Sequence, residues 1–143
     1  MEGYFLTTQY WKVALADDQM YFGRLVLKTI EPRTSLPSLT DDEQKDFFSL
    51  IGKLERFYKE VFNATMFNYS CLMNNAYRDN ETPHVHFHFR PRYKEPIQVL
   101  GYTFSDPNFG EHYISPTLTK TDPVRISEEV RNYITEKIIA YLK

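Results

Sequence analysis

Residues 83–93 read Pro83-His84-Val85-His86-Phe87-His88-Phe89-Arg90-Pro91-Arg92-Tyr93, and three of the chain's four histidines fall there at two-residue spacing between apolar residues. Successive side chains of an extended segment point to opposite faces. The stretch therefore predicts a strand with His84, His86 and His88 on one face and Val85, Phe87 and Phe89 turned into a core. Alternation also puts Arg90 on the histidine face. Pro91 is expected to end the strand, which leaves Arg92 without an assigned face.

Three imidazoles on one reachable face suit either a metal or a phosphate. At about 3.3 Å per residue the backbones of His84 and His88 are ~13 Å apart, whereas zinc ligands lie roughly 2.0–2.1 Å from one ion. A metal would take two of them and a third ligand from elsewhere; the remaining histidine is His112, in Gly110-Glu111-His112-Tyr113. A nucleotide phosphate chain is an extended anion, along which a row of imidazoles supplies a nucleophile, hydrogen-bond donors and a proton donor. The spacing favours phosphate, with no metal or other cofactor required, and keeps the metal reading as an alternative.

Outward from this strand, the pattern is strand, strand, helix, strand, strand, and a less regular tail ending in a second helix. Residues 10–15 and 23–28 read as two strands joined by the turn Asp17-Asp18-Gln19, a hairpin. Thr40 with Glu43 forms a capping box, after which Phe47, Ile51, Leu54, Tyr58 and Val61 recur at helical spacing. Residues 66–73 and 85–89 read as the next strands, separated by a polar loop over 74–83. Ser127 is expected to cap the last helix, with Val130, Ile134, Ile138 and Tyr141 as its apolar stripe. The predicted fold class is α+β, an antiparallel sheet with a long helix packed on it and an additional C-terminal helix.

The 143 residues suffice for one domain, taken as residues 1–143 with a core over about 10–95 and an extension over about 96–143. A net charge of −2, from 17 basic and 19 acidic residues, marks no general nucleic-acid surface. No apolar run approaches the roughly 20 residues of a membrane span, and Met1-Glu2-Gly3-Tyr4 has neither the basic nor the apolar region of a signal peptide. The expectation is a cytoplasmic protein with no membrane and no nucleic-acid partner. The single cysteine, Cys71, reads as a packed thiol. The 11 Tyr and 11 Phe exceed what one small core needs, which points to a dimer interface or to a Phe-rich core.

His84-Val85-His86-Phe87-His88-Phe89-Arg90 resembles the signature of the histidine triad (HIT) superfamily, His-φ-His-φ-His-φ-φ with φ apolar, and departs from it only at Arg90. Upstream, Phe22-Gly23-Arg24-Leu25-Val26-Leu27, a loop with Pro32 and Leu36, and a helix opening at Leu39-Thr40-Asp41-Asp42-Glu43 follow the family's order. The segment through Tyr93 is similar to a bacterial branch often labelled diadenosine polyphosphate hydrolase-like. The resemblance implies a nucleotide hydrolase or nucleotidyl transferase acting on the α-phosphate of a dinucleoside polyphosphate or related adenylylated compound. In that scheme His86 attacks phosphorus, His84 and His88 orient it and hold the non-bridging oxygens, and water releases the nucleotide. A homodimer joined through the long helix and a sheet edge is implied as well.

Several positions depart from the family pattern. Arg24 stands where many members place a histidine; its guanidinium stays charged and cannot shuttle protons, but it can bind phosphate bidentately, or simply pair with Asp17 or Asp18. Arg90 is placed for a phosphate clamp. The loop Tyr77-Arg78-Asp79-Asn80-Glu81-Thr82-Pro83 lacks the usual glycine, and Asp79 and Glu81 would repel phosphate if they pointed inward. Thr82 or Asn80 is a substitute polar contact, and Asn74 or Asn75, at the end of the preceding strand, a contact to the leaving group. Asp17 is a ribose ligand if the hairpin shifts by one residue from Ala16. Trp11, Tyr21 and Phe22 are either a base pocket or core. Two alternatives stay open: a non-catalytic nucleotide-binding module, and a metal-binding protein using His112.

Overall fold

The computed structural model describes residues 3–115 and 119–143; Met1 and Glu2, part of the N-terminal reading above, lie outside them. Five strands form one antiparallel sheet: β1 (Tyr4–Thr7), β2 (Trp11–Leu15), β3 (Leu25–Thr29), β4 (Met66–Ser70) and β5 (His86–Arg92), in the order β1-β2-β3-β5-β4. The histidine strand thus lies inside the sheet, paired with β3 from Leu25↔Phe89 to Lys28↔His86 and with β4 from Met66↔Arg92 to Ser70↔His88. The expected β2–β3 hairpin is present, in register from Trp11↔Thr29 to Leu15↔Leu25.

Pro91 does not end β5. The β3 ladder stops at Phe89, so Pro91 has a strand neighbour on one side only, Phe67 of β4, and its missing N–H interrupts no second ladder. β4 stops at Ser70, three residues short of the expected strand, and Met73 adopts φ 55°, a left-handed conformation that extended pairing excludes. The polar stretch that follows is not all loop: it opens with a one-turn helix, α2 (Asn74–Arg78). Asn74 and Asn75 accordingly begin a helix rather than end a strand.

The long helix α1 (Asp41–Phe62) carries the predicted capping box: Thr40 Oγ1 accepts from the Glu43 N–H at 3.1 Å, and the Glu43 carboxylate accepts from the Thr40 N–H at 2.8 Å. Its buried face is Phe47, Leu50, Leu54, Phe57, Tyr58 and Phe62; Ile51 is only half-buried and Val61 is exposed, so the stripe runs one residue off the expected one at both places. The tail adds a small hairpin, β6 (Ile97–Val99) and β7 (Tyr102–Phe104), turning through Leu100 and Gly101, both at positive φ. The last helix, α3 (Glu128–Leu142), starts at Ser127, whose Oγ accepts from the Val130 N–H at 3.2 Å. Val130, Ile134 and Ile138 are buried as expected, whereas Tyr141 is exposed and donates its hydroxyl to Glu60.

One apolar cluster joins the sheet, α1 and α3, running from Trp11 and Leu27 through Leu54 and Phe89 to Ile138. Trp11, Tyr21 and Phe22 are buried in the protein, so these aromatics are core and not a base pocket. Phe48, Tyr77 and Tyr102 stay exposed. Among the described residues no helix is long and apolar enough to cross a membrane.

Candidate active site

The turn before β3 decides where Arg24 points. Gly23 has φ 83°, and a Cβ there would come within 2.4 Å of Tyr58 Cε1. Only glycine lets the chain lie this close to α1. Two buried hydroxyls hold the turn, Tyr58 donating to the Gly23 carbonyl at 2.6 Å and Tyr93 to the Phe22 carbonyl at 3.0 Å. Arg24 emerges beside the histidine row, and its Nη2 lies 2.7 Å from His88 Nδ1.

The three histidines line one cleft of about 510 Å³ together with Arg24, Arg90, Asn74, Asn75, Asp18, His112 and Tyr113. An adjoining hollow of about 360 Å³ shares His86, His88 and Arg24 and adds Tyr4, Asp17, Val26 and Lys28. Thus Asp17 lies beside the histidine row but not in the larger cleft. Thr82 is exposed and lines neither hollow. Asp79 and Glu81 are also exposed outside both, and Asp79 is paired with Arg78, so the acidic loop does not point its charge at the cleft.

Hydrogen bonds fix how each imidazole is protonated. His86 Nδ1 lies 2.8 Å from the His84 carbonyl oxygen, which can only accept, so Nδ1 carries the proton and the neutral ring keeps its lone pair on Nε2. Among the described residues that Nε2 has no hydrogen-bond partner. His84 Nε2 donates to the Thr29 carbonyl at 3.0 Å, with Thr29 Oγ1 equally near. Burial lowers His84 below the ordinary histidine range, helped by the charge of Lys28. His88 is the reverse of His86. Arginine has no acceptor, so Nδ1 of His88 accepts from Arg24 and the ring proton sits on Nε2. Burial, then the charges of Arg24 and Arg90, push His88 down to about 3, so it is neutral near pH 7.

Positive charge is under-compensated here. Arg24 has Asp18 at 3.8 Å, and its Nε is buried without a hydrogen-bond partner. Arg90 donates to Ser70 Oγ at 3.2 Å and lies 3.7 Å from the Tyr113 ring centroid. Burial, then the neighbouring Arg24 charge, draw Arg90 below the usual arginine range. Two close guanidiniums and one distant carboxylate make a site that favours anions.

The fourth wall comes from outside the expected core. Arg92, which the sequence left without a face, is buried on an ion pair with Asp106, Nε–Oδ2 2.6 Å and Nη2–Oδ1 3.1 Å, and also donates to Asn68 and to the carbonyls of Asn108 and Glu111. This hub fastens residues 106–113 so that His112 and Tyr113 face the histidines. Asp18 and Tyr113 line the cleft and Lys28 the adjoining hollow, and none of the three stands out as a site residue in the sequence; the Asp17-Asp18 turn and the aromatic next to His112 are the available signals. Among the described residues no group of three His, Cys, Asp or Glu side chains is placed to hold one metal ion, so the metal alternative has no chelating set.

Residues 21–95 match the model of the HIT domain family. No curated protein matches the sequence. Among solved structures, the chain is similar to a histidine triad protein from Marinobacter aquaeolei VT8, at 19% identity and a TM-score of 0.69 over 97% of this chain and 87% of that one. It is also similar to a histidine triad protein from Sinorhizobium meliloti 1021, at 16% identity and a TM-score of 0.71 over 97% and 88%. A third is the Plasmodium falciparum diadenosine triphosphate hydrolase in complex with cyclomarin A, at 20% identity and a TM-score of 0.61 over 98% and 78%. These likenesses concern the fold.

Proposed function

This chain belongs to the HIT domain family, and from that premise we propose that it is a nucleotide hydrolase or nucleotidyl transferase working through a nucleotidyl-histidine intermediate on His86. The observation that carries the reading is the 2.8 Å contact of His86 Nδ1 with the His84 carbonyl, which puts the lone pair of the neutral ring on Nε2, in an arginine-rich cleft. A neutral imidazole approaches an anionic phosphorus without first losing a proton.

In the first step the Nε2 lone pair bonds to the α-phosphorus while the bond to the leaving group breaks and its electron pair departs with that group. In the second, water attacks phosphorus, the P–N bond returns its pair to His86, and the nucleotide is released. His88, neutral with its proton on Nε2, donates a hydrogen bond to a non-bridging oxygen, and His84 orients His86 through its carbonyl. Arg24 and Arg90 bind the phosphates bidentately, and Asn74 and Asn75 contact the leaving group. The hollow beside Asp17 and Val26 receives the nucleoside, with Asp17 on the ribose. Substrates of this chemistry are dinucleoside polyphosphates and other adenylylated compounds, and the Plasmodium hydrolase among the similar structures supports that class. The working form is a cytoplasmic homodimer.

The test is intact-protein mass spectrometry after brief mixing with adenosine polyphosphates and an adenosine phosphoramidate, for wild type and His86→Ala. The expected result is an adenylyl increment and AMP release in wild type alone. Nucleotide binding without adduct or AMP would replace this reading with that of a binding module.

A further inference from the structure

We infer that His112, carried on the loop that Arg92 fastens over the cleft, gives a proton to the leaving group and afterwards takes one from the attacking water; the assignment rests on the nucleotidyl-histidine reading above. The triad's own hydrogen bonds leave this role unfilled. The proton of His86 is held by the His84 carbonyl, and its other nitrogen is the nucleophile. That of His84 is committed to Thr29. His88 is locked by Arg24 in its neutral form, and burial opposes its gaining a second proton near neutrality. Arg24 and Arg90 hold their protons.

His112 differs from all of them. It is exposed, it lines the same cleft, and its Nδ1 donates to the Tyr113 carbonyl, so Nε2 is the position that gains and loses a proton. Among the described residues this Nε2 has no hydrogen-bond partner. The ring stacks on Tyr113, centroids 4.3 Å apart, and Tyr113 in turn covers Arg90. The backbone is pinned on both sides: Asn108 Nδ2 donates to the His112 carbonyl at 2.8 Å, and the Ile114 N–H donates to the Tyr21 hydroxyl at 2.8 Å. A histidine on a slack surface loop would show none of these constraints. The charged groups facing it across the cleft are Asp18, Arg24 and Arg90, the titratable ones the three triad imidazoles, with Glu111 on its own loop.

The protons balance over one turnover. As the bond to the leaving group breaks, its electron pair takes the proton from His112 Nε2, leaving a neutral imidazole. Water then attacks the nucleotidyl-histidine and yields a proton to that imidazole, which restores the starting state.

The experiment compares kcat/KM of wild type, His112→Gln and His112→Ala on two AMP derivatives, a p-nitrophenyl ester whose leaving group departs as a stable anion and an alkyl phosphoramidate whose amine must be protonated. A general acid contributes about 10²-fold or more. The expected loss is about 10²-fold on the amidate and at least tenfold smaller on the aryl ester, and added imidazole restores part of the amidate turnover of His112→Ala. Equal losses on both substrates, no loss on the amidate, or no imidazole rescue overturn the assignment. If wild type forms no adduct even with the aryl ester, the His86 reading fails and this role fails with it; an adduct with unaltered ratios removes His112 alone.

Discussion

At the level of single residues, the pairing of His88 with Arg24 has a consequence for stability that is independent of any substrate. Unfolded, His88 takes up a proton near the ordinary histidine value of about 6.5; folded, it does so only near 3. Between those values the unfolded chain binds the extra proton, so stability is full above about pH 6.5 and declines as pH falls toward 3, by at most ~1.4 kcal/mol per pH unit from this group. His88→Gln keeps an acceptor for Arg24 but cannot be charged. We expect the gap in urea midpoint between wild type and His88→Gln to narrow as pH drops from 7 to 4.5, and a constant gap would contradict the assigned protonation. Much of the residue-level site was legible, because period-two spacing alone brings His84, His86 and His88 into one cleft and sets Arg90 beside them. The protonation of each ring was not, since it depends on partners up to 64 positions away, as Arg24 is from His88. Thr82, expected as a substitute polar contact in the loop before the triad, is carried outward by that loop.

At the level of elements, the segment 106–113 is held by one buried pair. Arg92 and Asp106 have side-chain exposures of 2% and 1%, and removing one partner of such a pair leaves a buried charge uncompensated, at a cost of roughly 3–5 kcal/mol. Asp106→Ala should therefore lower global stability by about that amount and, in conditions where the chain is still folded, raise amide hydrogen exchange selectively over 106–115. Unchanged protection there would mean that the loop is held by Asn108 and Tyr21 without the ion pair. Elements differed in legibility for physical reasons. α1 announces itself through its capping box and periodic face, and β5 through alternation. β1 is four residues long with no alternation to mark it. The β6–β7 hairpin turns through Leu100-Gly101, and of the two only Gly101 signals a turn, since Leu100 is a residue that ordinarily avoids positive φ. α2 has only five residues and no side-chain cap, and its Asn-rich sequence reads as loop.

At the level of the whole molecule, the part of the chain that matches the family and the part that forms the core are different lengths. The match ends at residue 95, yet α3 places Val130, Ile134 and Ile138 in the same cluster as Leu54 and Phe57, all at 0–1% exposure. Three fully buried aliphatic side chains contribute about 5–9 kcal/mol at roughly 1.5–3 kcal/mol each, against a total stability of about 5–15 kcal/mol for a domain of ordinary size. The same region clamps the hairpin that carries the site. Arg131 donates to the carbonyls of Leu15 and Ala16 at 3.0 and 3.1 Å, Val124 N–H donates to Asp18 Oδ1 at 3.0 Å, and Gln19 N–H donates to the Val124 carbonyl at 2.7 Å. Asp18 is the carboxylate beside Arg24, so the tail fixes one charge of the cleft while completing the core. A chain ended after residue 115 keeps the entire family match and all four histidines. It should nonetheless lose its cooperative thermal transition and its nucleotide binding together, followed by circular dichroism and by titration with AMP. A truncated protein that melts cooperatively above about 45 °C and still binds AMP would show that residues 116–143 are an addition to a self-sufficient core and not a part of it.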